Sequence, residues 1–339
     1  MMKTVASVRN AQEKQRQMQK GKALAQNTLV CVMMGFQLLL WITFFGYDRS
    51  RQAVWQSAVL LLVPGMAVHA LWKRTKSESK YLPLMLLPCL LADAAFLLFA
   101  IGAFIGQLMP QYPHWLGYGV PCAFAFVTVW LSKSCGVENG AFTLKGLFLI
   151  LFVFSTVFLR ASNRSDRLWP IMGNGLFTQL KTAFLGSGCL WGTALLFVLP
   201  RERGEKTVRF LLIPWIIGCI WALWHGFVRP WAVGDAIAVG EKLMGLARHA
   251  HSVTLYEIAG LMWMAGIPLC LCGCLSASET LVTRAFPKFP RVAVIALFAL
   301  LPFLFNLLEN ALLLLETILP WRIVLSVLAG VLMQKEAKK

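Results

Sequence analysis

The chain has 339 residues, of which 58% are hydrophobic and only 14% charged, and its formal net charge is +17. That much apolar surface exceeds what a soluble core of this length needs, and it excludes an ordinary soluble domain. The excess base does not point to nucleic acid either, because Lys and Arg fall mostly in every second loop between long apolar segments, where they set membrane topology and meet anionic headgroups.

Segments of about 20 apolar residues match a hydrocarbon core of about 30 Å. The predicted spans are 28–46, 53–72, 82–107, 114–132, 142–160, 175–200, 207–228, 254–283, 292–308 and 313–333. A barrel would show shorter, alternating segments, so the expected class is an all-α polytopic membrane protein of about ten transmembrane helices. The basic clusters from Lys3 to Lys22, Lys73 to Lys80, Arg201 to Arg209, Arg284 to Arg291 and Lys335 to Lys339 share one side with Lys133. By the positive-inside rule that side is cytoplasmic, and an even number of spans puts both termini there. Residues 1–27 read as a basic cytoplasmic tail, compatible with an interfacial helix, and 334–339 as a second tail.

Ten spans divide into two five-helix units, 28–160 and 161–333. An odd number of spans per unit orients the two oppositely, which is the topology of a 5+5 inverted repeat of the LeuT/APC-like kind. Such folds place a binding site where the first helix of each unit is broken. The first span offers Gly35, Phe36 and Gln37; Gln37 needs a partner in lipid, either a neighbouring helix or a ligand. The sixth offers Gly186, Ser187 and Gly188 inside an apolar run. Two glycines there weaken the helix and admit another group closely, whether a polar ligand or a packed neighbour.

Ionisable side chains at membrane depth are costly and are functional candidates. Asp93 lies near the middle of the third span and is expected to face the bundle interior. It could hold a substrate amine, a proton or a cation, or bond another helix. Lys145, about one turn into the fifth span, either snorkels to the interface or titrates inside the bundle. Glu257 caps the eighth span or joins Asp93 and Lys145 as a candidate for proton or ion coupling. Glu279 could pair with Arg284, and Arg322 with Glu309 or Glu316. Trp221, Trp224, His225, Arg229 and Trp231 read as an interfacial aromatic belt. Lys181 is expected to snorkel outward.

Nine cysteines are scattered, almost all inside spans. Cys270, Cys272 and Cys274 alternate at a spacing that turns neighbours roughly 200° apart on a helix, so they read as small packing residues; no metal site and no cofactor is expected. No P-loop, HExxH or GxSxG occurs, so no enzyme is expected.

The run Leu168, Trp169, Pro170, Ile171, Met172, Gly173, Asn174, Gly175 and Leu176 resembles the "NLLPLLGNG" segment of spore germination permeases, the B-subunits of Ger-type germinant receptors in the amino acid–polyamine–organocation superfamily. Glu257 matches the last residue of their "ERxE"; Gly136, Val137, Glu138 and Ala141 resemble "GxExxAR"; Gln52 and Trp55 resemble "QDAWI". The resemblance covers nearly the whole chain in order and span length. The chain departs from the family at Phe142, Leu255 and Ala53, where the motifs carry Arg, Arg and Asp, and Thr193 takes the position of a Glu often found in the sixth helix.

The resemblance implies a transporter-like fold used for sensing. It implies a small germinant, commonly an amino acid, bound between the first, third, sixth and eighth spans, at Gln37, Asp93, Gly186, Ser187, Gly188 and either Tyr256 or Trp263. It also implies the spore inner membrane as the location, and an A-subunit and a lipoprotein C-subunit as partners. The alternatives are a proton-coupled amino acid or polyamine transporter, and a scaffold that only assembles a complex.

Overall fold

The computed structural model describes residues 2–42, 45, 54–74, 81–108, 111, 113–131, 145–146, 149–150, 175–198, 208–228, 253–306, 314 and 317–336. Its elements, in chain order, are α1 (Met2–Trp41), α2 (Val54–Leu60), α3 (Leu62–Lys73), a 3₁₀ turn (Leu82–Leu86) running into α4 (Leu87–Leu108), α5 (His114–Leu131), and α6 (Leu176–Ser187). A second 3₁₀ stretch (Gly188–Thr193) leads to α7 (Leu195–Val198), α8 (Val208–Val228), α9 (Val253–Ala285), α10 (Arg291–Asn306) and α11 (Trp321–Glu336). The chain is an all-α polytopic membrane protein. Among the described residues, Leu24–Trp41, Val54–Lys73, Leu82–Gly102, Leu176–Val198 and Gly266–Ala285 are long and apolar enough to cross a membrane. Residues 142–160 fall almost wholly outside the described set; Lys145, Gly146, Leu149 and Ile150 are helical where described.

Breaks in the helices follow the prolines. Pro64 has no N–H to give Leu60, and α2 accordingly ends at Leu60 and α3 resumes at Leu62. The joint stays bonded through Leu61 N–H to the Ser57 carbonyl (3.1 Å) and Gly65 N–H to the Leu61 carbonyl (3.3 Å). Pro88 likewise denies Leu84 its partner, at the seam between the 3₁₀ turn and α4. Pro121, Pro214 and Pro268 sit inside α5, α8 and α9, as membrane helices tolerate when neighbours re-satisfy the freed carbonyls.

Residues 2–27, expected as a basic tail compatible with an interfacial helix, share one helix with the first span. At 40 residues α1 runs about 60 Å, twice the hydrocarbon thickness. Every residue from Val32 to Ile42 is buried, and so is every residue from Gly186 to Val198. A helix apolar on all sides belongs in the middle of a bundle, so these two stretches form its axis. Cys270, Cys272 and Cys274 are buried too, although neighbours point apart. Here α9 is enclosed on several sides; a Cβ on Gly273 would stand 2.6 Å from the Met33 sulfur of α1.

Hydrogen bonds between side chain and backbone fix the outer helices. Trp72 Nε1–H donates to the Ser326 carbonyl (2.9 Å) and Gln334 Nε2–H to the Leu71 carbonyl (3.0 Å), tying α3 to α11. Trp215 Nε1–H donates to the Ala58 carbonyl (2.9 Å), tying α8 to α2. Two expectations are corrected. Glu279 pairs with Arg291, at the start of α10, and not with Arg284. Arg284 instead donates to the Val198 carbonyl (3.0 Å), satisfying a group at the end of α7. Trp221 is 1% exposed, so it belongs to the core and not to an interfacial belt.

Candidate functional site

The sixth span is built to break. Gly175, last residue of the Gly-Asn-Gly segment, opens α6 at φ +95°, a conformation that side chains with a Cβ avoid. The α-helix ends at Ser187 and the chain tightens into six residues of 3₁₀ helix before α7. Runs beyond three or four residues of 3₁₀ are uncommon and mark strain or a hinge. The two glycines explain where the tightening begins. A Cβ on Gly186 would lie 2.6 Å from the Trp41 indole of α1. One on Gly188 would lie 2.8 Å from the Leu319 carbonyl oxygen and 3.1 Å from Arg322 Nε. Both absent side chains are therefore replaced by groups of the protein itself.

Arg322 is what enters beside Gly188. It is 1% exposed and forms an ion pair with Asp93, which is fully buried. Glu309 and Glu316, the acceptors expected from sequence, lie outside the described residues; the acceptor is Asp93, on the third span. Arg322 Nη1 donates to Asp93 Oδ1, Nε to the Leu319 carbonyl (2.9 Å), and Nη2 to Cys189 Sγ (3.4 Å). Trp191 Nε1–H donates to the second carboxylate oxygen of Asp93 (2.9 Å). The side chain of Gln37 lies beside Asp93, and Cys189 Sγ–H donates to the Gln37 carbonyl at 3.7 Å. The result is a ring of neighbours, Gln37–Asp93–Arg322–Cys189–Gln37, through the first, third, tenth and sixth spans, hydrogen-bonded from Asp93 through Arg322 and Cys189 to the Gln37 carbonyl.

The ring explains how two charges survive without water. A buried pair stands only when its remaining hydrogen-bonding capacity is met, and each partner here has further bonds. Backbone around Arg322 is held as well: Ser326 Oγ–H donates to the Arg322 carbonyl (2.7 Å), and Cys89 Sγ–H to the same oxygen at 3.7 Å.

Of the candidates, Gln37, Asp93 and Gly188 meet in this ring, with Gly186 two residues earlier against Trp41. Ser187 is buried, but its hydroxyl turns back to the Phe184 carbonyl (2.5 Å) on its own helix. Tyr256, Glu257 and Trp263 fall on α9, with side chains outside the described residues. Lys145 is exposed and lines a separate groove of about 70 Å³ with Thr28, Cys31, Leu149 and Pro214. Trp191 and Cys189 were not among the sequence candidates, and Arg322 was expected only as half of an ion pair. The available signal was a lone Arg in an apolar span, which demands a carboxylate at its own depth.

No protein-family model matches the chain, and no curated protein does. Solved structures do. Variants of the manganese transporter of Eremococcus coleocola superpose with a TM-score of 0.54 at 13% identity, covering 92% of this chain and 76% of theirs. The same transporter in complex with an aromatic bis-isothiourea substituted compound gives 0.57 at 12% identity, covering 91% and 77%. This chain shares the fold of a membrane transporter.

Proposed function

We propose that the chain is a permease-like sensor: a germinant-receptor subunit that binds a small amino acid in the spore inner membrane and passes the event to its partners. Both termini face the cytoplasm in this reading, and the partners are an A-subunit and a lipoprotein C-subunit. The transporter fold supports a two-state bundle. The observation that carries the reading is the ring around Asp93 and Arg322, which ties four spans together through the broken sixth one. A ligand acts on such a bundle only through differential affinity for its two arrangements. Pulling the sixth span from the ring changes how four helices meet, and a partner subunit can read that change.

Manganese, named for the neighbour, is the cargo this site supports least. Both oxygens of Asp93 are engaged, one by a guanidinium and one by an indole N–H. The second reading is a proton-coupled amino acid or polyamine transporter, favoured by one observation, a carboxylate at mid-membrane depth. In either case the protein binds and moves; it is not an enzyme.

The test is a panel of amino acids against the purified chain in detergent, read by thermal shift, followed by uptake into vesicles carrying this chain alone. Stabilisation by a particular amino acid without uptake is expected. Concentrative uptake by the chain alone would replace sensing with transport. No stabilisation by any amino acid, in a folded sample, would sink both.

A further inference from the structure

We propose, resting on that reading, that the Asp93–Arg322 pair is an internal stand-in for the ligand, and that a zwitterion opens the bundle by exchanging with it. The ligand's ammonium takes the place of the guanidinium on Asp93, and its carboxylate takes the place of Asp93 on Arg322.

Charge balance in a dry site carries the argument. Asp93 is 0% and Arg322 1% exposed, so neither can be left alone without the full cost of an uncompensated buried charge. A cation that displaced Arg322 would strand the guanidinium, and an anion that displaced Asp93 would strand the carboxylate. A ligand carrying both charges leaves each group partnered. The pair therefore selects zwitterions and rejects the corresponding amines and acids, discrimination by an unpaired group of the kind that separates binding partners most strongly.

The position of the pair makes the exchange a conformational event. Its two side-chain partners on the sixth span, Cys189 Sγ at 3.4 Å from Arg322 and Trp191 Nε1 at 2.9 Å from Asp93, both lie in the 3₁₀ stretch Gly188–Thr193. Separating the two charges to admit a ligand must move that stretch. Arg322 keeps an anchor, since its Nε bonds the Leu319 carbonyl of its own turn (2.9 Å), and Asp93 keeps the Gln37 side chain beside it. Each charge thus retains one fixed partner while it trades the other.

The experiment compares the full-length chain with Asp93→Asn and Arg322→Gln. The probes are an amino acid that stabilises the unaltered protein, the amine lacking its carboxylate and the acid lacking its amine. The unaltered protein is expected to respond to the amino acid at least tenfold more tightly than to either analogue. Asp93→Asn frees the guanidinium and gains the acid; Arg322→Gln frees the carboxylate and gains the amine, each by tenfold or more. If both variants lose the amino acid and gain neither analogue, the pair only holds helices together and the exchange is wrong, while the sensing function stands. If no amino acid stabilises the unaltered protein, that function fails and the exchange fails with it. Should a single variant not fold, Asp93→Asn with Arg322→Gln leaves no stranded charge; a tenfold loss of the amino acid supports the exchange, and unchanged affinity overturns it.

Discussion

The ion pair can be weighed by a double-mutant cycle. Asp93 and Arg322 are fully buried and share the ring, so removing one charge strands the other. Stranding a buried charge costs about 3–5 kcal/mol. Unfolding entropy of about 2.1 cal/mol/K per residue, over 339 residues, converts that cost into a fall in Tm of about 4–7 °C. Asp93→Asn and Arg322→Gln should each show it. The double variant strands nothing, so its loss should be smaller than the sum of the two by about 3 kcal/mol, a coupling at the upper end for contacting pairs. Reversible thermal unfolding in one detergent, at one pH, measures all four proteins. Losses that add to within about 0.5 kcal/mol would mean the two charges do not depend on each other, and the ring would lose its place as the lock of the bundle.

Trp191→Phe keeps one aromatic ring but loses the pyrrole N–H that bonds Asp93; a hydrogen bond to a charged group is worth about 1.5–3 kcal/mol, the lost volume adds to it, and denaturant unfolding should show at least that loss. Gly188→Ala drives a Cβ to 2.8 Å from the Leu319 carbonyl oxygen, an overpacking cost of about 1–3 kcal/mol against a helix-propensity gain of at most about 1 kcal/mol, so net destabilisation in the thermal assay is expected. Gly186→Ala collides with the Trp41 indole at 2.6 Å, and adding Trp41→Leu should recover part of the lost Tm. Glu279→Gln breaks an ion pair whose side chains are 16% and 33% exposed; being partly screened, it should cost under about 1 kcal/mol, and less in high salt.

The spans were legible because the bilayer demands long apolar helices and punishes every exception. The ends of α3, α4 and α9 and the start of α6 fall near their predicted limits for that reason. What escaped was pairing between distant segments. Arg322 announced a need for a carboxylate, but periodicity ranks Glu309 and Glu316 by nearness in sequence, while the bundle brings Asp93 from 229 positions away. The glycines of the sixth span predicted close approach without saying of what, and the answer was Trp41 and Arg322. Trp221 misled because an indole suits both an interface and a core, and the span's composition alone does not choose. Ser187 looked like a ligand hydroxyl, yet a serine within a helix has its own i−3 carbonyl at hand.

The ring also bears on the choice between sensing and transport, through the empty protein. A transporter must return unloaded, or loaded with something else, through the same conformational change. Opening the ring without a ligand separates two buried charges, and a cost of about 3–5 kcal/mol holds the open arrangement to roughly one part in a hundred to one in several thousand. To move such an equilibrium over to the open side, a ligand needs differential affinity approaching 5.5 kcal/mol. A zwitterion that satisfies both charges can supply it; an amine or an acid, which leaves one buried charge stranded, does not. A sensor gains from this silence, because it must not signal when empty. A transporter with this ring would show the penalty as a slow empty return, so exchange of labelled for unlabelled amino acid across vesicles would outrun net uptake by tenfold or more. Net uptake as fast as exchange would mean that the empty protein reorients freely, and a ring that holds four spans together does not allow that.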